Sequence, residues 1–269
     1  MTQNFSQIPM ATIDIPKEIV KLPSGGKLYP VDSPLHEGEV EIYALTAHGE
    51  DLLTTRSFLK RGVVLDKLIQ GAIVNRMINI DDMLLGDTNV IMVAYRITGY
   101  GPNYSVEVEC PNCGEKNERT FNLSEMPLIP LGAEPIAEGV NKFEFMLPIS
   151  KRRVYFKLLT KREDKQVTEI VDASKKATDG IERNVTARLF ASIISINDEE
   201  DRTKLRMLID TMPAGDSLAL REYIQDVEPG IDLYGELECK NCGEKREVEV
   251  PLSASFFWPG LVRKSRRHV

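Results

Sequence analysis

Four cysteines fall into two arms of one form, Cys110-Pro111-Asn112-Cys113-Gly114 and Cys239-Lys240-Asn241-Cys242-Gly243, each followed by Glu-Lys. A two-residue spacer lets both thiolates of an arm converge on one ion. The glycine behind it can take positive φ and close the turn. Zn2+ prefers four tetrahedral ligands, and each arm offers two. His36, His48 and His268 bear no spacing relation to either arm. The economical solution is a single site of Cys110, Cys113, Cys239 and Cys242, filled entirely by thiolates and therefore structural rather than catalytic. A redox Cys-x-x-Cys would open a helix, whereas here apolar-polar alternation (Val106, Val108; Val248, Val250) flanks each arm. Paired disulfides would need an oxidising compartment, and the first fifteen residues have no secretory signal pattern.

The elements that must position these arms follow from the flanks. Alternation on both sides predicts a β-hairpin with each arm at its tip, as in zinc ribbons. Some 125 residues lie between the arms, so the ion would join remote parts of the fold. The arms also belong to a longer match at an offset of 129 residues. Gly86-Asp87 maps to Gly215-Asp216, Gly101 to Gly230, and Leu123-Ser124 to Leu252-Ser253, with 11 identities in the 20 positions from 105 to 124. A metal-binding turn accounts for the centre of that match but not for its outlying pairs, which read as a duplicated unit.

Within each unit helices precede the hairpin. Val64, Leu68, Ala72 and, further on, Met77 keep a helical stripe, while Asp87 and Asp216 are placed to cap helices reaching Tyr95 and Gln225. Strands are expected at Glu39–Tyr43 and Val154–Leu159, and helices near 163–177 and 181–196. The expected fold is α+β, with two duplicated halves of helices plus a knuckle hairpin joined at one four-cysteine, zinc-ribbon-like site. Its divisions are an extended segment over 1–45, a first repeat over 46–126, a linker over 127–147, a second repeat over 148–255 and a tail over 256–269. Phe256, Phe257 and Trp258 are expected to anchor that tail in the core.

Composition bounds the function. The 269 residues are 42% hydrophobic and 28% charged, with a net charge of -7 and mean hydropathy of -0.22. These values describe a globular chain with no membrane-length apolar run. Four positive charges sit in the final stretch Arg263–Val269, but glutamates 107, 109, 115, 118, 236, 238, 244, 247 and 249 crowd the arms. That balance argues against the alternative of a nucleic-acid-binding zinc ribbon, which needs a basic face. A metalloenzyme would need one cysteine to leave the metal. Ser24-Gly25-Gly26-Lys27 is not a P-loop, because Lys21 stands where its first glycine belongs and Leu28 replaces the Ser or Thr. The acidic run Asn197–Asp201 lacks the calcium-loop pattern and reads as a solvated loop. Nothing makes a positive case for catalysis.

The order of several pieces resembles a known family. Leu22–Pro30, Leu45-Thr46, Glu50–Leu53, Lys60–Leu68, Leu85–Asp87, Ala94–Ile97 and Tyr100–Tyr104, ending in the first arm, resemble the baseplate hub and hub-assembly proteins of T4-like contractile-tailed bacteriophages. The resemblance implies a non-enzymatic phage protein, built into the virion tail baseplate or acting in the host cytoplasm during hub assembly. Its partners would be other baseplate and hub proteins, with further copies of itself in the tail, and neither membrane nor nucleic acid.

Overall fold

A computed structural model describes residues 15–54, 64–177, 183–250 and 254–257. Trp258, the basic tail and Leu252-Ser253 lie outside these residues, as does the Lys60–Val63 part of the family-like run. The architecture is α+β, built from helices and five small antiparallel sheets among the described residues. Strands β1 (Lys17–Lys21) and β2 (Glu39–Tyr43) pair first, followed by α1 (Ala47–Thr54) and α2 (Val64–Ala72). Next come α3 (Leu85–Tyr100) and the hairpin of β3 (Asn103–Glu109) and β4 (Lys116–Asn122). A link carrying β5 (Leu128–Ile129) leads to β6 (Phe143–Met146) and β7 (Arg153–Phe156). Helices α4 (Lys161–Ala177) and α5 (Asn184–Ser192), strand β8 (Ile193–Ile196), and helices α6 (Arg202–Asp210) and α7 (Ala214–Val227) follow. The chain then forms β9 (Gly230–Ile231) and a second hairpin of β10 (Tyr234–Glu238) and β11 (Lys245–Glu249).

Several expectations shift in detail. The α2 stripe buries Val64, Leu68, Ile69 and Ala72, but the helix stops there, and Ile73 turns to bridge Ile42 of β2. Met77 is left exposed. Residues 193–196, expected as the end of a helix, leave it and pair with β7. Ile193, Ile194 and Ile196 are β-branched, and β7 would otherwise show an open edge.

Asp87 and Asp216 do not cap. The N-caps of α3 and α7 are Leu84 and Pro213, and both aspartates sit inside the first turn, fully buried. Asp87 accepts from the Ser24 N–H (3.1 Å), the Ser24 hydroxyl (2.7 Å) and the Tyr29 hydroxyl (2.6 Å). Tyr29 Oη in turn accepts from the Leu84 N–H. The Ser-Gly-Gly-Lys turn that mimics a P-loop is therefore a structural turn pinned to α3. Asp216 accepts from the N–H groups of Ile149 and Ser150 at 2.7 and 3.0 Å, pinning the β6–β7 turn to α7 in the same way. Burial pushes the Asp87 carboxyl up despite its donors, whereas at Asp216 the two backbone N–H groups outweigh burial and hold it down. The glycine before Asp87 is sterically required: a Cβ on Gly86 would lie 1.7 Å from Pro229 O, where α3 abuts the start of β9.

The ends of the hairpins interlock the chain. Behind the first hairpin, Pro127 O accepts from Asp232 N and β5 pairs with β9, immediately ahead of the second. Behind the second, Phe256 and Phe257 are buried against Tyr104 and Tyr95, beside the first. Arg96, only 2% exposed, donates to the carbonyls of Phe256, Gly101 and Asn103 and lies over the rings of Tyr100, Tyr104 and Phe256. With no carboxylate bonded to it among the described residues, this cation is compensated by carbonyl dipoles and π-faces.

Asp87→Ala would leave three buried donors unmatched. It is expected to cost about 2–4 kcal/mol, read as a lower urea midpoint with an unchanged slope. Asp216→Ala, which strands two donors, is expected to cost less.

Candidate metal centre

The tip of each hairpin is built by the same local rules. Glu109 pairs with Lys116 and Glu238 with Lys245, closing β3–β4 and β10–β11 just behind the arms. Beyond that pair Cys110 N donates to Glu115 O, and Gly114 N donates back to Cys110 O; Cys239, Glu244 and Gly243 repeat the pattern. Gly114 and Gly243 take φ of 73° and 72°, the left-handed conformation that a side chain would strain. The first cysteine of each arm is buried and the second exposed. Both arms thus present their sulfurs in one geometry.

The hairpins face one another. A Cβ on Gly235 of β10 would lie 2.4 Å from the Phe121 ring of β4, so that glycine provides the space for a ring from the other hairpin. Arg119 donates to Glu236 O across the same interface. The four ligand atoms of Cys110, Cys113, Cys239 and Cys242 all lie within 4.8 Å of one another. Across the arms, Cys110 Sγ is 3.8 Å from Cys242 Sγ, and Cys113 Sγ is 3.6 Å from Cys239 Sγ. A Zn–S bond of about 2.3 Å implies a tetrahedral edge of about 3.8 Å. All four cysteines are free, at separations far beyond a disulfide bond. The arrangement could hold one ion in a closed shell, with no ligand position left over for substrate.

The sulfurs differ electrostatically. Backbone N–H groups of Cys242 and Asn241, with the Asn117 amide, hold the Cys239 thiol down at about 6. The Glu244 N–H and the Asn112 amide lower Cys242. At Cys113 the Glu115 N–H and Asn241 also favour the thiolate, but desolvation and the neighbouring sulfurs leave it raised to about 11. The site therefore favours some thiolates while resisting the accumulation of negative charge, which a divalent cation would offset.

Sequence reading finds the cysteines and misses the asparagines around them. Asn112 Nδ2 donates to Cys242 Sγ, Asn241 Nδ2 to Cys113 Sγ and Asn117 Nδ2 to Cys239 Sγ, each at 3.6 Å. The identity of Asn112 and Asn241 across the repeat was a visible signal; Asn117 had none, because Arg246 stands at the matching position.

A family profile described as "T4 bacteriophage base plate protein" matches residues 15–258. The chain belongs to that family. No curated protein and no solved structure matches it. Membership makes this a structural phage baseplate protein, associated with the virion tail and with other baseplate proteins. No helix among the described residues is long and apolar enough to cross a membrane.

In reduced, metal-free protein the first thiolate absorbance should appear near pH 6 and move to higher pH in Cys239→Ser. Because the Cys239 value is lowered from 9.0, ionisation favours the folded state. That contribution should be complete above about pH 9 and lost as the pH falls through about 6, which a stability–pH series would read.

Proposed function

We propose that this chain is a non-enzymatic structural or assembly protein of the baseplate hub, whose two duplicated halves are clasped by one structural Zn2+ on Cys110, Cys113, Cys239 and Cys242. The observation that carries the reading is the convergence of four sulfurs, from arms 129 positions apart, in a chain of the baseplate family. Proteins assembled in a reducing host cytoplasm cannot rely on disulfides, and a structural zinc can supply about 10 kcal/mol of folding free energy. The chain works through its surfaces, on other baseplate and hub proteins and on copies of itself.

The duplication has support beyond the arms. Each half opens on a hairpin with a Leu-Pro turn, Leu22-Pro23 after β1 and Leu147-Pro148 after β6, pinned by the aspartate of the later Gly-Asp pair. Each second strand runs into Leu-Thr and then Glu-Asp: Leu45-Thr46 with Glu50-Asp51, and Leu159-Thr160 with Glu163-Asp164. In the second half Thr160 and Glu163 form a capping box. A helix then delivers an isoleucine back to that strand, Ile73 to Ile42 and Ile193 to Phe156. The repeats at 46–126 and 148–255 thus extend back to the hairpins at Lys17 and Phe143, with 127–142 as the link and the chain beyond 256 as the tail.

Metal analysis of the reduced full-length protein tests the clasp. About one zinc per chain is expected, replaceable by cobalt with four-thiolate charge-transfer bands. Any single Cys→Ser change should lose those bands and lower the melting temperature; metal-free wild-type protein with an unchanged melting temperature would refute the clasp. Quantitative mass spectrometry of purified particles beside assembly intermediates tests the role. Stoichiometric presence in particles marks a component, presence only in intermediates marks an assembly factor, and absence from both defeats the hub role.

A further inference from the structure

We propose that Asn112, Asn241 and Asn117 are positioning residues of the metal centre, forming an outer shell that holds three of its four sulfurs and sets how long the metal stays. The inference rests on the four-thiolate reading above and adds to it the residues that control retention.

The geometry of the first two is reciprocal. Asn112 lies in the first arm but bonds a sulfur of the second, Cys242; Asn241 lies in the second arm and bonds a sulfur of the first, Cys113. Both contacts measure 3.6 Å, and the two residues are 129 positions apart. Each asparagine directly precedes its own arm's second cysteine, so its backbone belongs to one knuckle and its amide to the other. Two ordinary surface asparagines would have no reason to make the same cross-arm contact twice. Glu, Lys or Ser at these exposed positions would be equally soluble but would not supply a neutral amide donor of that reach.

Asn117 is the buried member, 1% exposed, and uses both ends of its amide. Nδ2 donates to Glu115 O and Cys239 Sγ, while Oδ1 accepts from Lys240 N of the other arm. It bonds Cys239 while fixing the backbone next to it. The matching position in the second hairpin is Arg246, so this brace is one-sided, and among the described residues no asparagine bonds Cys110 Sγ.

Four thiolates around a divalent cation carry two net negative charges. Amide N–H groups directed at sulfur spread that charge, raise the cost of reprotonating a ligand and fix the ligand's rotamer. Because all three amide–sulfur bonds cross between the hairpins, they also oppose the first step of metal loss, the parting of the knuckles.

The test is zinc transfer from the loaded full-length protein to an excess of a chromophoric chelator. Asn112→Ala with Asn241→Ala is expected to release zinc about 10–100-fold faster than wild type. Asn112→Asp with Asn241→Asp, isosteric but presenting a carboxylate to a thiolate, should be faster still. Both positions are exposed, so these variants should fold, and cobalt-loaded samples should keep four-thiolate bands because no ligand is removed. Wild-type release rates in both double variants would overturn the proposal. So would an alanine variant as fast as the aspartate one, since that would leave no role for the polarity of the group facing the sulfur. Uptake of metal by wild type with unaltered variant kinetics defeats the shell alone; no uptake by wild type defeats the metal reading and the shell together.

Discussion

Two hairpin tips from distant parts of the chain must bring four sulfurs within 4.8 Å of one another, and much of the fold can be understood as meeting that demand. Sulfurs packed so closely do not attract one another once ionised. The surrounding protein must therefore hold the hairpins together by other means. It does so with the Phe121 ring seated on Gly235, the Arg119 bond to Glu236 O and the Asn117 bridge to Lys240. A metal ion would turn the residual repulsion into attraction, so apolar packing, polar bracing and the ion act in one direction.

The same demand accounts for the way the ends of the hairpins are tied. If each half were closed on itself, the two tips would be free to part. Instead, the segment leaving the first hairpin pairs through β5 with β9 ahead of the second, and the segment leaving the second is held by Arg96 and Tyr104 at the base of the first. Each half is finished by chain from the other. Parting the tips would then disturb a strand pair on one side and a buried arginine with its aromatic rings on the other. A clamp of this kind suits a protein in which four of the five sheets among the described residues are two-stranded, since a two-stranded hairpin is marginal by itself.

Much of this was legible in the sequence, and what was missed has definite physical causes. The arms, the hairpins and the glycine turns follow from local rules of spacing and φ, so they were readable. The duplicated Gly-Asp pair was visible, but its meaning was not: an aspartate near a helix start suggests a cap, and only the fold reveals that the acceptor is needed by a turn 63 residues away. Likewise Ile193–Ile196 follows a helical stretch without a Gly or Pro to mark the break, and only the open edge of β7 makes it a strand. Asn117 is the clearest case. Its side chain serves a backbone N–H and a sulfur 123 and 122 positions away, and no local pattern encodes such a partner.

The differences between the halves are as informative as their likeness. Pseudo-symmetry holds for the arms, where Asn112 and Asn241 are interchangeable, and fails a few residues later, where Asn117 faces Arg246. It fails again at the glycines before the pinned aspartates. Gly86 is pressed against backbone at Pro229, whereas Gly215 meets only the flexible end of the Ile149 side chain. A strict two-fold repeat would keep both sites equally tight. The sulfur contacts and their reciprocal asparagines match across the two hairpins, whereas the packing behind them does not.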